Sequence, residues 1–236
     1  MPEDGFNFTA MSYDNTAALG ASTWRHVAFI ERPVPLSFQD GGQFSWLFAS
    51  DVCKHCARAG CLEACPTGAI MRTEFGSVYV QPDVCNGCGY CVVNCPFGVI
   101  DRRQDDGRAW KCTLCYDRQK AEMIPACAKS CPTESIQFGE IGQLRAKARA
   151  RVEQLHEAGV REAYLYGESA EEQPGTEGLN AFFLLLDRPE VYNLPPAPVA
   201  PAKKAKDAWA SMGFAAAGMA LAAIGSVLFH RRGGRE

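Results

Sequence analysis

Between Cys53 and Cys131 the chain places all twelve of its cysteines, in three runs. The first is Cys53-x2-Cys56-x4-Cys61-x3-Cys65-Pro66, and the second is Cys85-x2-Cys88-x2-Cys91-x3-Cys95-Pro96. The third, looser one is Cys112-x2-Cys115-x11-Cys127-x3-Cys131-Pro132. A cysteine load of this kind resolves into a disulfide scaffold, zinc sites or iron–sulfur sites according to its spacing and compartment. Structural zinc uses separate C-x2-C pairs and has no need of three cysteines in seven residues. Disulfides would have to form among neighbours mostly too close in sequence to bridge.

The second run has the spacing of a bacterial ferredoxin. A [4Fe-4S] cubane needs thiolates converging on three of its irons from one tight loop. The C-x2-C-x2-C turn supplies them and turns backbone N–H groups toward the sulfurs. The cysteine before proline ligates the neighbouring cluster. This rule assigns Cys53, Cys56, Cys61 and Cys95 to one cluster and Cys85, Cys88, Cys91 and Cys65 to the next. Under the same rule Cys112, Cys115 and Cys127 form an incomplete set of three and Cys131 is left alone. Two complete clusters are expected in the chain as written, and four if a further cysteine run lies upstream. The alternative is a third run that closes on itself.

Lys54, His55, Arg102, Arg103 and Lys111 stand beside these cysteines, where positive charge would raise a cluster's potential. The competing reading places them in solvated surface or partner contacts. No nucleophile–base pair, phosphate loop or paired carboxylate is present. The expectation is an electron relay with no catalytic residue of its own.

Cys65 to Ile70, Cys95 to Ile100 and Cys131 to Ile136 all read C-P-x-x-x-I, an internal repeat that implies repeated supersecondary units. Around them the chain divides into an N-terminal segment (1–45) and a ferredoxin-type cluster domain (46–140). A helix-plus-hairpin subdomain (141–193) and a Pro/Ala/Lys linker (194–207) follow. An apolar span (208–229) and a basic tail (230–236) end the chain. The N-terminal segment holds one strand-like run, 24–30. In the subdomain Ile141, Leu144, Ala148, Val152 and Leu155 recur at helical spacing, with Gly159 at the C-terminal cap. Two strands, 163–166 and 180–186, flank a polar loop, and no ligand or acid–base cluster appears there. The predicted fold class is α+β: tandem ferredoxin-like modules, a small subdomain and one C-terminal transmembrane helix.

Residues 194–201 predict a stiff polyproline spacer. Residues 208–229 carry no charge, close to the roughly 20 residues a helix needs to cross a bilayer. Gly213, Ala217, Gly218 and Gly225 suit close helix packing there. The formal net charge is -3, yet residues after 201 contribute +4 through Lys203, Lys204, Lys206, Arg231, Arg232 and Arg235 against Asp207 and Glu236, leaving -7 for the body. An acidic body on a basic apolar tail disfavours nucleic-acid binding and fits attachment to an anionic membrane. The basic flanks are nearly balanced and leave the orientation of the span open. Residues 1–5 have neither the charged nor the apolar region of a secretory signal.

With its order of cysteine runs, Tyr13-Asp14-Asn15, Ser22-Thr23-Trp24, the phrase from Lys111 to Arg118, the later helix and hairpin and the single span, the chain resembles the beta subunit of membrane-bound formate dehydrogenase. Nearly the whole sequence is covered. The cluster motifs are shared by iron–sulfur subunits of many molybdopterin oxidoreductases, and the N-terminal phrases and span narrow the resemblance to formate dehydrogenase. It implies a catalytic molybdopterin alpha subunit and a membrane cytochrome b gamma subunit as partners. It also implies four clusters in line from formate toward quinone, and a body on the periplasmic face, exported with its catalytic partner. The family has a further four-cysteine run upstream, while here no cysteine precedes Cys53; the expectation is that such a run belongs before Pro2. The competing identities are the iron–sulfur subunit of a polysulfide or dimethyl sulfoxide reductase or of a hydrogenase, and a free-standing membrane-bound ferredoxin.

Overall fold

The computed structural model describes residue 16, residues 18–33, 44–200 and 205–233, and the side chains of the last helix over 209–226. The phrase Tyr13-Asp14-Asn15, linker residues 201–204 and tail residues 234–236 lie outside the described residues. Two units are distinguished, 1–200 and 201–236.

The first unit opens with a hairpin, β1 (Arg25–Arg32) against β2 (Ser45–Val52), in antiparallel register from Arg25↔Val52 to Arg32↔Ser45. The strand read at 24–30 is therefore one arm of a hairpin that crosses position 45. Along β2, Ser45 and Leu47 face inward while Trp46 and Phe48 face out, the period-2 alternation of a half-covered sheet.

Two similar units follow. In the first, α1 (Gly60–Glu63) leads to β3 (Ile70–Arg72), which pairs with β4 (Val78–Val80). In the second, α2 (Tyr90–Val93) leads to β5 (Asp101–Arg102), which pairs with β6 (Ala109–Trp110). The isoleucines that end the first two C-P-x-x-x-I repeats, Ile70 and Ile100, bury in one core with Ala59, Val78, Val80, Cys91 and Ala109. Burying an isoleucine is worth roughly 1.5–3 kcal/mol, so this shared core holds the two halves together. Ile136, ending the third repeat after the short helices α3 (Tyr116–Lys120) and α4 (Ala126–Ser130), is only half-buried.

Next comes α5 (Ile141–Glu157), capped by the Glu140 carboxylate, which accepts from the N–H groups of Gly142 at 3.0 Å and Gln143 at 2.8 Å. Its half-buried positions are Ile141, Leu144, Arg145, Ala148, Val152 and Leu155. Gly159 follows at φ 90, a left-handed conformation that suits glycine after a helix. β7 (Tyr164–Tyr166) then pairs with β8 (Phe183–Leu185). This hairpin and the 3-10 turn Pro189–Tyr192 share a second core with the first hairpin: Leu47, Tyr166, Leu179, Leu185, Tyr192 and Leu194.

One expectation is corrected here. Residues 194–200 are not a free spacer, since Leu194, Pro198 and Ala200 are buried on the body. The Tyr166 hydroxyl donates to the Pro195 carbonyl at 2.5 Å. A proline-rich strand is already extended, so laying it on an apolar surface costs little further chain entropy. In the second unit, α6 (Ala205–Gly233) contains an apolar window, Trp209–Ser226, of mean hydropathy 1.3.

Candidate cluster-binding site

Each Cys-Pro repeat is a turn that aims N–H groups at its own sulfur. Pro66 has no N–H to offer, and Gly68 at φ 68 reverses the chain. The backbone N–H groups of Thr67, Ala69 and Ile70 thereby reach the Cys65 sulfur. Gly98 at φ 62 does the same for Phe97 and Val99 around Cys95. In the third repeat Glu134 takes the left-handed position at φ 51, and Ser135 and Ile136 reach Cys131. Concave sets of N–H groups of this kind favour an anionic sulfur.

Two cavities gather eight of the cysteines. One is lined by Cys53, Cys56, Cys61 and Cys95, the other by Cys65, Cys85, Cys88 and Cys91. Three thiols of each cavity come from one run and the fourth from the Cys-Pro turn of the other. The shared core forms a wall of both: Ala59, Val78 and Ile100 line the first cavity, Ile70 and Ala109 the second. Among the described residues no group of three or more His, Cys, Asp or Glu has the close spacing that suits a single metal ion. Four soft sulfur donors around a larger space, with the Ala109 N–H donating to Cys85 Sγ at 3.4 Å, fit an iron–sulfur cubane. Neither cavity includes Cys112, Cys115, Cys127 or Cys131. Cys112 Sγ accepts from the Leu114 N–H at 3.3 Å, and Cys131 Sγ lies 3.2 Å from the Ser135 hydroxyl.

The five basic residues beside the cysteines separate into two groups. Lys54, His55 and Lys111 line the cavity of Cys53 and are only 1–2% exposed. Lys54 Nζ is paired with Asp51 and lies 5.2 Å from the Phe97 ring centre and 5.5 Å from that of Phe183. Lys111 Nζ donates to the Val78 carbonyl at 2.5 Å and the Cys112 carbonyl at 3.0 Å. Arg102, by contrast, is exposed and donates to the Gly87 carbonyl at 3.0 Å. Arg103 stacks on Trp110 at 3.9 Å, and Trp24 also stacks with Trp110, ring centroids 6.4 Å apart.

These charges act on the thiols. Burial pushes Cys53 up, but the neighbouring His55, then the charge of Lys111, and hydrogen bonds from His55 outweigh it and bring the thiol down to about 5. At Cys61 burial wins over Lys111, and with neighbouring thiolates pushes it up to about 12. Cys56 and Cys95 also rise, chiefly through burial. In the other cavity Cys91 is pushed up to about 11 by burial and then by Cys85, Cys65 and Cys88. At Cys65 burial is overcome by the Thr67 hydroxyl and the backbone donors of its turn.

A further contributor carries no cysteine, and its sequence by itself predicts only a structural loop. The segment between β7 and β8 lies on the first cysteine loop. The Ala57 N–H donates to the Gly178 carbonyl at 3.0 Å, Arg58 to Thr176 at 2.7 Å, and Ala181 to Lys54 at 3.0 Å. Gln173 and Thr176 are buried there. Their polar character resembles any surface loop, and nothing local in the sequence marks the contact.

Residues 44–141 match the family model described as a 4Fe-4S dicluster domain. The formate dehydrogenase iron–sulfur subunit of Haemophilus influenzae is 39% identical over 184 residues, covering 77% of this chain and 55% of that protein. The iron–sulfur subunit of the nitrate-inducible formate dehydrogenase of Escherichia coli is 38% identical over 184 residues, 77% of this chain and 59% of that protein. The B component of the anaerobic dimethyl sulfoxide reductase of Escherichia coli is 41% identical over 100 residues, 42% of this chain and 49% of that protein. The chain thus spans a little over half the length of the formate dehydrogenase relatives.

Proposed function

Since the chain carries a 4Fe-4S dicluster domain and is a homologue of the iron–sulfur subunits of formate dehydrogenase, we propose that it relays single electrons within a formate dehydrogenase complex. The observation that carries this reading is the pair of cavities, each lined by three thiols of one run and one of the other. Cys53, Cys56, Cys61 and Cys95 would hold one [4Fe-4S] cluster, and Cys85, Cys88, Cys91 and Cys65 its neighbour. Bound clusters supply one-electron exchange. The chain's part is to supply thiolates, exclude water with Ile70, Val78 and Ile100, and place N–H groups and charges around the sulfurs. Cys112, Cys115, Cys127 and Cys131 belong to further clusters whose remaining ligands lie outside these cavities.

In this reading residues 46–140 are tandem ferredoxin-like modules, 141–193 a subdomain that braces them, and 208–229 a membrane span. The apolar window of α6 supports the span. The partners are a catalytic molybdopterin subunit and a membrane cytochrome b subunit, with the body on the periplasmic face. A second reading, a subunit of a dimethyl sulfoxide reductase-like enzyme, is favoured by the 41% identity over 100 residues.

Anaerobic purification of the chain with its neighbouring large subunit tests the proposal. Iron and sulfide analysis should show [4Fe-4S] clusters, and formate should elicit their reduced paramagnetic signal. Reduction by dithionite but not formate would reject the formate assignment. A colourless, iron-free complex would reject the relay itself.

A further inference from the structure

The two cavities have the same sulfur donors and unlike surroundings. The cavity of Cys53, Cys56, Cys61 and Cys95 is lined by Lys54, His55 and Lys111. The non-cysteine lining of the other is Thr67, Ala69, Ile70, Asn86, Gly89 and Ala109, with neither a cation nor a histidine. Cys88 on that side is exposed, while Cys53 is buried. A cation close to that side, Arg102, lies over Gly89, where an added Cβ would stand 3.5 Å from its Nε, and is exposed to screening by water and salt.

His55 is fixed as a donor. The Val78 N–H donates to its Nδ1 at 3.0 Å, so the neutral ring carries its proton on Nε2. That Nε2 is buried and stands beside Cys53, the sulfur available to accept its proton. A buried donor in a sulfur-lined cavity is held toward the sulfurs, since leaving its hydrogen bond unmade is costly.

We propose that Lys54, His55 and Lys111 make the Cys53 cavity the electron sink of the pair, so that the first electron to enter rests there. The inference rests on the cluster reading above. A [4Fe-4S] centre taking one electron passes from the 2+ to the 1+ core state and adds one negative charge. Buried cations and a directed N–H stabilise that added charge more than an exposed guanidinium does. Burial alone opposes this, because it disfavours added charge.

The test is potentiometry of the full-length, cluster-loaded protein followed by electron paramagnetic resonance, with dithionite as the electron donor. The signals are assigned to cavities by Cys95→Ser and Cys88→Ser. The Cys53-side signal should appear first. Lys111→Met and His55→Leu should each lower its midpoint and leave the other signal in place, and Lys111→Arg should restore it. If Lys111→Met fails to load, Lys54→Met reads the same shift. Clusters present with the Cys88-side signal first, or midpoints unmoved by these variants, would overturn the inference and leave the relay standing. An iron-free wild-type protein would overturn the cluster reading instead.

Discussion

The backbone N–H of Arg58 donates to the carbonyl oxygen of Thr176 at 2.7 Å, so a loop remote in sequence holds the stretch from Cys56 to Cys61. That loop is itself held by the proline-rich segment. A Cβ on Gly175 would stand 2.1 Å from the Pro198 carbonyl oxygen and 2.8 Å from the Val199 Cα. Both are backbone atoms, which no rotamer change can move. Gly175→Ala should therefore destabilise the protein by about 1–3 kcal/mol, the usual cost of overpacking. Thermal unfolding of the loaded protein should show the drop, with iron loss from the Cys53 side first. An unchanged midpoint would mean that residues 198–199 are not seated on Gly175.

Crossed ligation makes a pairwise prediction. Cys95→Ser should remove or alter the same resonance as Cys53→Ser, and Cys65→Ser the same one as Cys88→Ser, because those pairs line common cavities. Spectra of the four reduced variants decide it. If Cys65→Ser matched Cys53→Ser, each run would close on itself.

What could be read in the sequence was whatever follows the periodicity of the chain itself. The stripe Ile141, Leu144, Ala148, Val152 and Leu155 and the strands around 164–166 and 183–185 declare themselves by spacing. So do the cysteine runs. Lys54 and Lys111 could not be recognised as buried, because a lysine is buried only where remote partners receive it: Phe183 and Phe97 for one, the Val78 carbonyl for the other. The same limit hid residues 173–181, whose contacts run to the first cysteine loop. In 194–200 the prolines announced an extended chain, but not the surface on which it lies.

Glu134 offers a test of backbone strain. It occupies φ 51 where the other repeats have Gly68 and Gly98 at φ 68 and 62. A side chain in that region costs roughly 1 kcal/mol relative to glycine. Glu134→Gly should raise the melting temperature modestly, and a fall would show that the Glu134 side chain makes a compensating contact.

Cys131 should be a reactive thiol in the iron-free chain. Hydrogen bonds from Ser135 and Thr133, with the backbone donors of the turn, bring it down to about 6 from an ordinary value of 9.0. The thiolate is the attacking form. Alkylation at this position should thus level off above pH 6 and slow as the pH falls below it. In Thr133→Ala/Ser135→Ala the same profile should move upward. Site-resolved mass spectrometry after iodoacetamide labelling measures both, and coincident profiles would remove the hydroxyls from the account.

The window Trp209–Ser226 is long enough to cross a bilayer, yet its mean hydropathy of 1.3 is carried by many alanines and glycines. Its margin for insertion is small, and one charge near its middle should abolish it. Arginine at the centre of a span costs about 2.5–3.5 kcal/mol on insertion scales, roughly two orders of magnitude in partitioning. The full chain should float with anionic lipid vesicles. Ala217→Arg should remain largely in the soluble fraction, as should a chain ending at Ala200, where the first unit closes. Leu221→Ala is the control, since it trims apolar surface without adding charge and should still float. If Ala217→Arg floated as well as the parent, the helix would be lying on the surface and not crossing, and the span would have to be given up.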